Sequence, residues 1–236
     1  MEEIINIPNH VVVIPDGNRR WAKSKGLNPW EGHEEGAKRT EDIVREASRM
    51  GVKNLSVWGS SLNNLTKRPL MEKKALLDIY RKYFKKLIED EDVFETQTKI
   101  NVIGRWREQF PAPLKKVIED CIEKTKEHKE RTLNFFLAYN GDDEMIETVK
   151  KIVEKVNDSS KVTAELIKDN LMTRELPAVD FVIRTGGEPH WSVGFMMWDI
   201  ANSEFYFSEK LYPDFGKDAF EEAIRDYSKR GRRKGR

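Results

Sequence analysis

A chain of 236 residues, 38% hydrophobic and 35% charged, can bury one sizeable α/β core and does not call for two domains. Its 42 Lys and Arg nearly cancel 41 Asp and Glu, leaving a net charge of +1, so no global field recruits nucleic acid or an anionic membrane and any anion site must be local. One cysteine, Cys121, excludes an internal disulfide, MEEIINIP has neither region of a signal peptide, and no apolar run approaches the roughly 20 residues that span a bilayer. The expectation is a cytoplasmic protein that meets any lipid at the membrane surface.

Val11 to Ile14 is a short β-branched run, as expected of a strand covered on both faces. Pro15 ends its ladder because it has no N–H to donate. Asp16, Gly17 and Asn18 are turn formers that expose backbone donors, and the glycine permits close approach. Arg19 and Arg20 add planar forks that match phosphate oxygens, while Asp16 offers one carboxylate for a divalent cation. These residues point to a metal-diphosphate site. Two other readings fit them: Asp16 as the cap of a helix with a solvated arginine face, or as the nucleophile of a haloacid dehalogenase-type magnesium phosphohydrolase. The latter needs a second aspartate where Asn18 stands.

The stretch HVVVIPDGNRRWA, which includes Trp21, strongly resembles the first signature of the cis-prenyltransferases, the family of undecaprenyl diphosphate synthase. In that family an apolar strand runs into DGN-x-RW-A. A helix-compatible segment follows between Gly26 and Gly51, and Gly32, His33 and Gly36 in it fit the family's G-H-x-x-G. The pattern's arginine is Pro29 here and its apolar residue is Glu31, which implies a rearranged diphosphate site.

A second strand, LSVWGSS, leads into the polar segment Ser60 to Pro69, where Ser, Asn and Arg suit a phosphate as well as an ordinary loop. It resembles the family's S-S/T-E-N-W/L-x-R-P. Ser60 and Ser61 open it, Asn64 aligns with the catalytic asparagine, Leu65 and Arg68 follow, Asn63 takes the place of a glutamate, and the segment is longer than the pattern. From Met71 to Glu89, Leu76, Leu77, Tyr80, Tyr83, Phe84 and Leu87 fall at helical spacing. Periodicity alone makes this a core-facing helix. The resemblance makes it a wall of a hydrophobic tunnel, whose aromatic residues help decide product length.

Strand-like KINVIGR and TLNFFLAYNG flank a helix beginning near Pro113. Asp142 and Asp143 open the next helix but lack the fifth acid of the D-D-x-x-D pattern of trans-prenyltransferases, and a favourable macrodipole explains them without metal. After the strand DFVI, Arg184 and Thr185 precede the flexible pair Gly186-Gly187, which exposes N–H groups beside a guanidinium. This segment resembles the family's D-x-V/I-I-R-T-G/S-G-E-x-R-I/L-S, with Glu188, Ser192, Phe195, Trp198 and Glu204 also in place, His190 where an arginine is expected, and one extra residue after Ser192. LYPDF resembles the closing motif. The basic tail, from about residue 228, reads as a solvated end, or by resemblance as the R-x-G (Arg233, Lys234, Gly235) that reaches across a homodimer to the homoallylic diphosphate.

The resemblance, with the strand-helix alternation, implies a single α/β domain over 1–236: a central, mostly parallel sheet of about six strands flanked by helices, with substrates at the C-terminal strand ends. It implies a Mg²⁺-dependent isoprenyl transferase that condenses isopentenyl diphosphate onto an allylic diphosphate such as farnesyl diphosphate, giving a Z-polyprenyl diphosphate. Asp16 is then the metal ligand with Glu204 as a second contact. Gly17, Asn18, Arg19, Arg20 and Trp21 serve the allylic diphosphate with His33 beside it. Ser60, Ser61, Leu65 and Arg68 line the substrate site, and Arg184, His190, Ser192, Arg233 and Gly235 serve isopentenyl diphosphate. Asn64 assists proton removal through the diphosphate. A homodimer that touches a membrane surface to release product is expected, and no nucleic acid. The departures at Pro29, Glu31, Asn63 and His190 leave a non-catalytic partner subunit as the alternative.

Overall fold

A computed structural model describes residues 6–231. The β-branched and aromatic runs become six strands: β1 (His10–Ile14), β2 (Asn54–Trp58), β3 (Thr98–Ile103), β4 (Arg131–Phe136), β5 (Phe181–Arg184) and β6 (Glu204–Phe207). All pair in parallel in one sheet of order β3-β4-β2-β1-β5-β6. Parallel neighbours need long crossovers, and helices supply them. They are α1 (Asn18–Ser24), α2 (Pro29–Arg49), α3 (Leu62–Lys67), α4 (Leu70–Ile88), α5 (Glu91–Glu95), α6 (Trp106–Gln109), α7 (Ala112–Thr125), α8 (Gly141–Lys155), α9 (Ala164–Asn170) and α10 (Lys217–Lys229).

Successive strand side chains point to opposite faces, and β1 is apolar on both. Val11 and Val13 join Ile43 of α2 and Phe220 of α10 on one side, while Val12 and Ile14 join Tyr139 and Phe195 on the other. A third cluster puts α4 and α7 against β3 through Phe84, Ile118 and Ile100. The chain builds outward from β1 on the β2 side, then crosses to β5, so the strand order reverses beside the C-terminal end of β1. Open α/β sheets bind ligands at such a switch point. Ile14 lies opposite Arg184 there, which brings residue 16 to the strand end that carries Arg184.

Three local outcomes differ from the sequence expectation. The polar segment after β2 contains a short helix, because Ser61 Oγ accepts from Asn64 N at 2.9 Å and caps α3. Strand β4 stops at Phe136, and the chain turns at Ala138 with φ of 53°. The last helix continues to Lys229, past the expected start of the tail, where Arg230 is tied back to Glu204 and Asp226. Pro29 and Glu31 also acquire a local reason. They are the first and third residues of α2, and the Glu31 carboxylate accepts from Asn28 N at 2.8 Å, closing the helix start.

Candidate active site

Asp16 sits two residues beyond the end of β1, held from three sides. Its backbone N–H donates to Thr185 Oγ1 (2.9 Å), its carbonyl accepts from the same hydroxyl (2.8 Å), and Tyr212 N donates to that carbonyl (3.0 Å). The LYPDF motif thus braces the site loop, and Trp21 Nε1 adds a bond to Asp214 (2.9 Å). Gly17 follows at φ 107°, and a Cβ there would come within 2.8 Å of Leu211, so this turn excludes a side chain.

The Asp16 carboxylate lies between two guanidinium groups: Arg184 Nη2 donates to Oδ2 at 2.8 Å and Arg20 Nη2 to Oδ1 at 3.2 Å. Arg184 is 4% exposed, and its Nη1 also donates to Ser192 Oγ and the His190 carbonyl, both at 2.8 Å. His190 Nε2 lies 3.0 Å from Ser192 Oγ. Among the described residues, only Arg184 Nε and Asn18 Oδ1 are buried side-chain polar atoms without a partner, and their residues flank Asp16. Buried polar atoms are normally satisfied.

A second cluster lies beyond α1. Glu72, at the start of α4 and 3% exposed, has Oε1 3.1 Å from His33 Nε2, 3.4 Å from Arg68 Nη1 and 3.6 Å from Arg19 Nε. Arg68 Nη1 is 2.9 Å from His33 Nε2. Burial, then the Arg68 charge, lowers the His33 pKa to about 4, so the ring is neutral at pH 7 and accepts from Arg68. Helices α1 and α2 touch because Gly32 and Gly36 have no side chains: a Cβ on Gly36 would fall 2.5 Å from Asn18 Oδ1.

Between the sheet and helices α2 and α4 runs a cavity of about 570 Å³. Its lining includes Pro15, Asn18 and His33 beside the site, Leu76, Tyr80, Tyr83, Phe84 and Leu87 of α4, and Thr98 and Arg131 at the opposite strand ends. Pro15 and Asn18, which bracket Asp16 and Gly17 in the chain, thus border the cavity.

The family model described as "Putative undecaprenyl diphosphate synthase" matches residues 14–235. The chain belongs to the undecaprenyl diphosphate synthase family of prenyltransferases. It is 37% identical over 234 residues to the tritrans,polycis-undecaprenyl-diphosphate synthase (geranylgeranyl-diphosphate specific) of Pyrococcus abyssi, covering 98% of this chain and 88% of that one. It is equally 37% identical over 238 residues to the isoprenyl transferase of Thermus thermophilus, covering 98% and 89%. The crystal structure of lavandulyl diphosphate synthase from Lavandula x intermedia, in complex with dimethylallyl diphosphate, superposes with a TM-score of 0.91 at 31% identity over the whole of both chains.

Of the residues expected in this prenyltransferase's site, the fold brings together Asp16, Gly17, Asn18, Arg20, Arg184, His190 and Ser192, with Arg19, His33 and Arg68 as a second group around Glu72. Others have different tasks. Leu65 is 1% exposed in the core, the Ser61 hydroxyl caps α3, and Ser60 Oγ accepts from Ala138 N at 3.1 Å. Asn64 is exposed on α3.

Glu204 is not beside Asp16. It opens β6 opposite Phe181, three residues and about 10 Å below the level of Arg184, and accepts from Arg230 Nη1 at 2.9 Å. Within one chain the register of β5 and β6 therefore sets Glu204 apart from Asp16. Arg233, Lys234 and Gly235 lie outside the described residues. Sequence reading missed Glu72, which stands in the first turn of α4, four residues after Arg68.

Among the described residues no group of three or more His, Cys, Asp or Glu could hold a metal by itself. Magnesium commonly takes one or two carboxylates and completes its shell with substrate phosphates and water. A one-third-exposed Asp16 beside anion-binding arginines fits an ion that arrives with its diphosphate.

The buried histidines also predict acid sensitivity. His10, fully buried with its ring bonded to Pro177 O and Ser56 Oγ (both 2.8 Å), has its pKa lowered by burial, as His33 does. Because these values lie below the ordinary 6.5, the unfolded chain takes up protons first as pH falls. Stability present above pH 6.5 is lost towards pH 4, by about 3 kcal/mol for His33 alone. Urea titrations at pH 7 and 4.5 should show this decline, and a smaller one in His33→Gln. Equal declines in the two proteins would remove His33 from the account.

Proposed function

We propose that this chain condenses isopentenyl diphosphate onto an allylic diphosphate, farnesyl diphosphate being the natural test primer, and releases a Z-polyprenyl diphosphate. The observation that carries this reading is the corner of Asp16, Arg20 and Arg184, beside a cavity bordered by Pro15 and Asn18 and lined largely by apolar side chains of α4 and the sheet. The corner suits a diphosphate and the cavity a hydrocarbon.

In the reaction a C–O bond to diphosphate breaks, a C–C bond forms from the alkene of isopentenyl diphosphate to the allylic carbon, and a proton leaves the resulting cation. Charge develops chiefly on the departing diphosphate, where fixed donors lower the barrier most. Arg19 and Arg20, 61% and 45% exposed on α1, can exchange their contacts with Glu72 and with Asp16 and the Gly186 carbonyl for the allylic diphosphate. Arg184, His190 and Ser192 form the neighbouring anion site for isopentenyl diphosphate. Arg184 and Arg20 hold the Asp16 carboxylate in the absence of substrate, so a diphosphate that takes their donors frees the carboxylate. Magnesium held there by Asp16 supplies charge neutralisation of the leaving group. The proton passes to a diphosphate oxygen, with Asn64 orienting the acceptor, since an amide is too weak a base alone. Asn18 is packed against Gly36, so no second acid stands where a phosphohydrolase needs one.

A second copy of the chain is the proposed partner. Ile146, Val149 and Val153, spaced along one face of α8, are 56%, 54% and 72% exposed, an apolar stripe that a homodimer would cover. Glu204, on the edge strand, enters the metal reading only through such an assembly. Val149→Asp should convert the dimer to a monomer by light scattering, and an unchanged mass would remove α8 from the interface. No helix among the described residues is long and apolar enough to cross a membrane, so the lipid product is proposed to leave at a membrane surface.

Purified chain, magnesium, farnesyl diphosphate and labelled isopentenyl diphosphate test the reaction. Label in a Z-polyprenyl diphosphate is expected. Absence of incorporation by the chain alone would favour the partner-subunit alternative, and phosphate release without isopentenyl diphosphate would indicate a hydrolase. Val44 lines the cavity from α2, so Val44→Phe should shorten the product, whereas unchanged length would place the hydrocarbon elsewhere.

A further inference from the structure

Leu70 and Met71 open α4 at 85% and 73% exposed, the two most exposed large apolar side chains among the described residues, and neither joins a core cluster. Packing within the chain does not account for them. The free charges beside them in the chain are of one sign. No acid occurs from the end of β2 to Met71, partly because Asn63 stands where the family pattern has a glutamate, and the Glu72 that follows is buried. Lys67 and Lys74 are exposed and Lys73 is half-buried. None of the three forms an ion pair among the described residues, whereas Lys82 and Lys86, farther along α4, pair with Glu34 and Glu41 of α2. On a chain of net charge +1 this is a local basic surface with an apolar tip.

We propose that Leu70 and Met71, flanked by Lys67, Lys73 and Lys74, are where the protein docks on an anionic lipid bilayer, an inference that rests on product release at a membrane surface. Two side chains are far too little for a stable protein interface, which buries roughly 800 Å² per partner. They suffice for shallow insertion, because apolar side chains gain by entering the acyl boundary while flanking lysines keep their charges among the headgroups. Each lysine held near an anionic leaflet strengthens binding about fivefold. The position also suits product release. Arg68 and Glu72, which bracket the tip in the chain, lie 3.4 Å apart and both reach His33, which lines the cavity. A hydrocarbon that leaves past His33 is then delivered on the docked side. The exposed apolar stripe of α8 lacks this character, since Glu147 and Glu154 adjoin it in the chain and an anionic surface would repel them.

The test is sedimentation of the full chain with vesicles of phosphatidylcholine alone or of equimolar phosphatidylcholine and phosphatidylglycerol, without substrate, so that its outcome does not depend on the reaction. Wild type is expected to bind the mixed vesicles, and less so as salt is raised. The triple variant Lys67→Gln, Lys73→Gln, Lys74→Gln should weaken that binding by a factor on the order of 10², and the double variant Leu70→Ser, Met71→Ser by at least about tenfold. Both should keep the wild-type melting temperature and wild-type elongation in vesicle-free solution. Failure of wild type to bind, or binding by either variant as tight as wild type, would overturn the docking site. Self-association without lipid, seen by light scattering and abolished in Leu70→Ser, Met71→Ser, would overturn it too by assigning the tip to a second copy. Elongation absent in every protein, beside the expected pattern of binding, would leave the docking site standing and defeat the proposed reaction instead.

Discussion

Asp16→Ala is expected to lower turnover by a factor of about 10² to 10³ while leaving the fold intact, a loss comparable to removing one strong transition-state contact. The carboxylate is one-third exposed and packs into no core cluster, so its removal opens no cavity. Arg184 keeps Ser192 Oγ and the His190 carbonyl as acceptors, so its buried charge is not abandoned. Removing the acid also frees two guanidinium groups that Asp16 otherwise occupies. Affinity for the diphosphates should therefore hold or improve while the rate falls, and the split between kcat and KM is the diagnostic. Steady-state kinetics beside a thermal melt check it. Ordinary turnover in the variant would take Asp16 out of the chemistry, and a rise in KM alone would reduce it to a binding residue.

The second large effect belongs to Glu72. This carboxylate is 3% exposed and is the shared ion-pair partner of Arg68 and Arg19, with His33 Nε2 3.1 Å away. Breaking a buried ion pair from one side costs about 3 kcal/mol or more, because the partner's charge stays buried without compensation. Arg68 is that partner, with its side chain 14% exposed. Glu72→Ala should lower the melting temperature by roughly 6–12 °C for a domain of this size, and it should loosen Arg68 and His33 together. Glu72→Gln retains an acceptor oxygen and should recover part of the loss. A melting temperature unchanged in Glu72→Ala would show that the cluster is solvated and idle.

The contrast between these two acids shows what a linear reading can reach. Asp16 was legible because three local signals coincide at one place: a β-branched strand, a proline that ends it, and turn residues beside arginines. Arg184 was legible for the same reason at the end of β5. Glu72 was not, since its meaning depends on α2 and α4 lying side by side, a tertiary fact with no local signature beyond its spacing from Arg68. Glu204 is the opposite case. Its motif was recognised, but only the β5–β6 register shows that it opens its strand at the far end from Asp16.

At the level of the fold, the alternation of strand and helix announced a parallel sheet. The order β3-β4-β2-β1-β5-β6 could not be read, because it is set by which crossovers pack on which face. The family departures divide in the same way. Pro29 and Glu31 are explained by the start of α2, a purely local matter. Beside His190, the extra residue after Ser192 is absorbed in a tight turn with Val193 at φ 40° and Gly194 at φ 60°, which spacing alone could not reveal.

The most direct test of the central claim is a crystal soaked with magnesium and a non-hydrolysable farnesyl diphosphate analogue. The diphosphate is expected in the corner between Asp16, Arg20 and Arg184, with the hydrocarbon running along α4 into the cavity. A ligand seated away from that corner, or a hydrocarbon lying outside the cavity, would contradict the account.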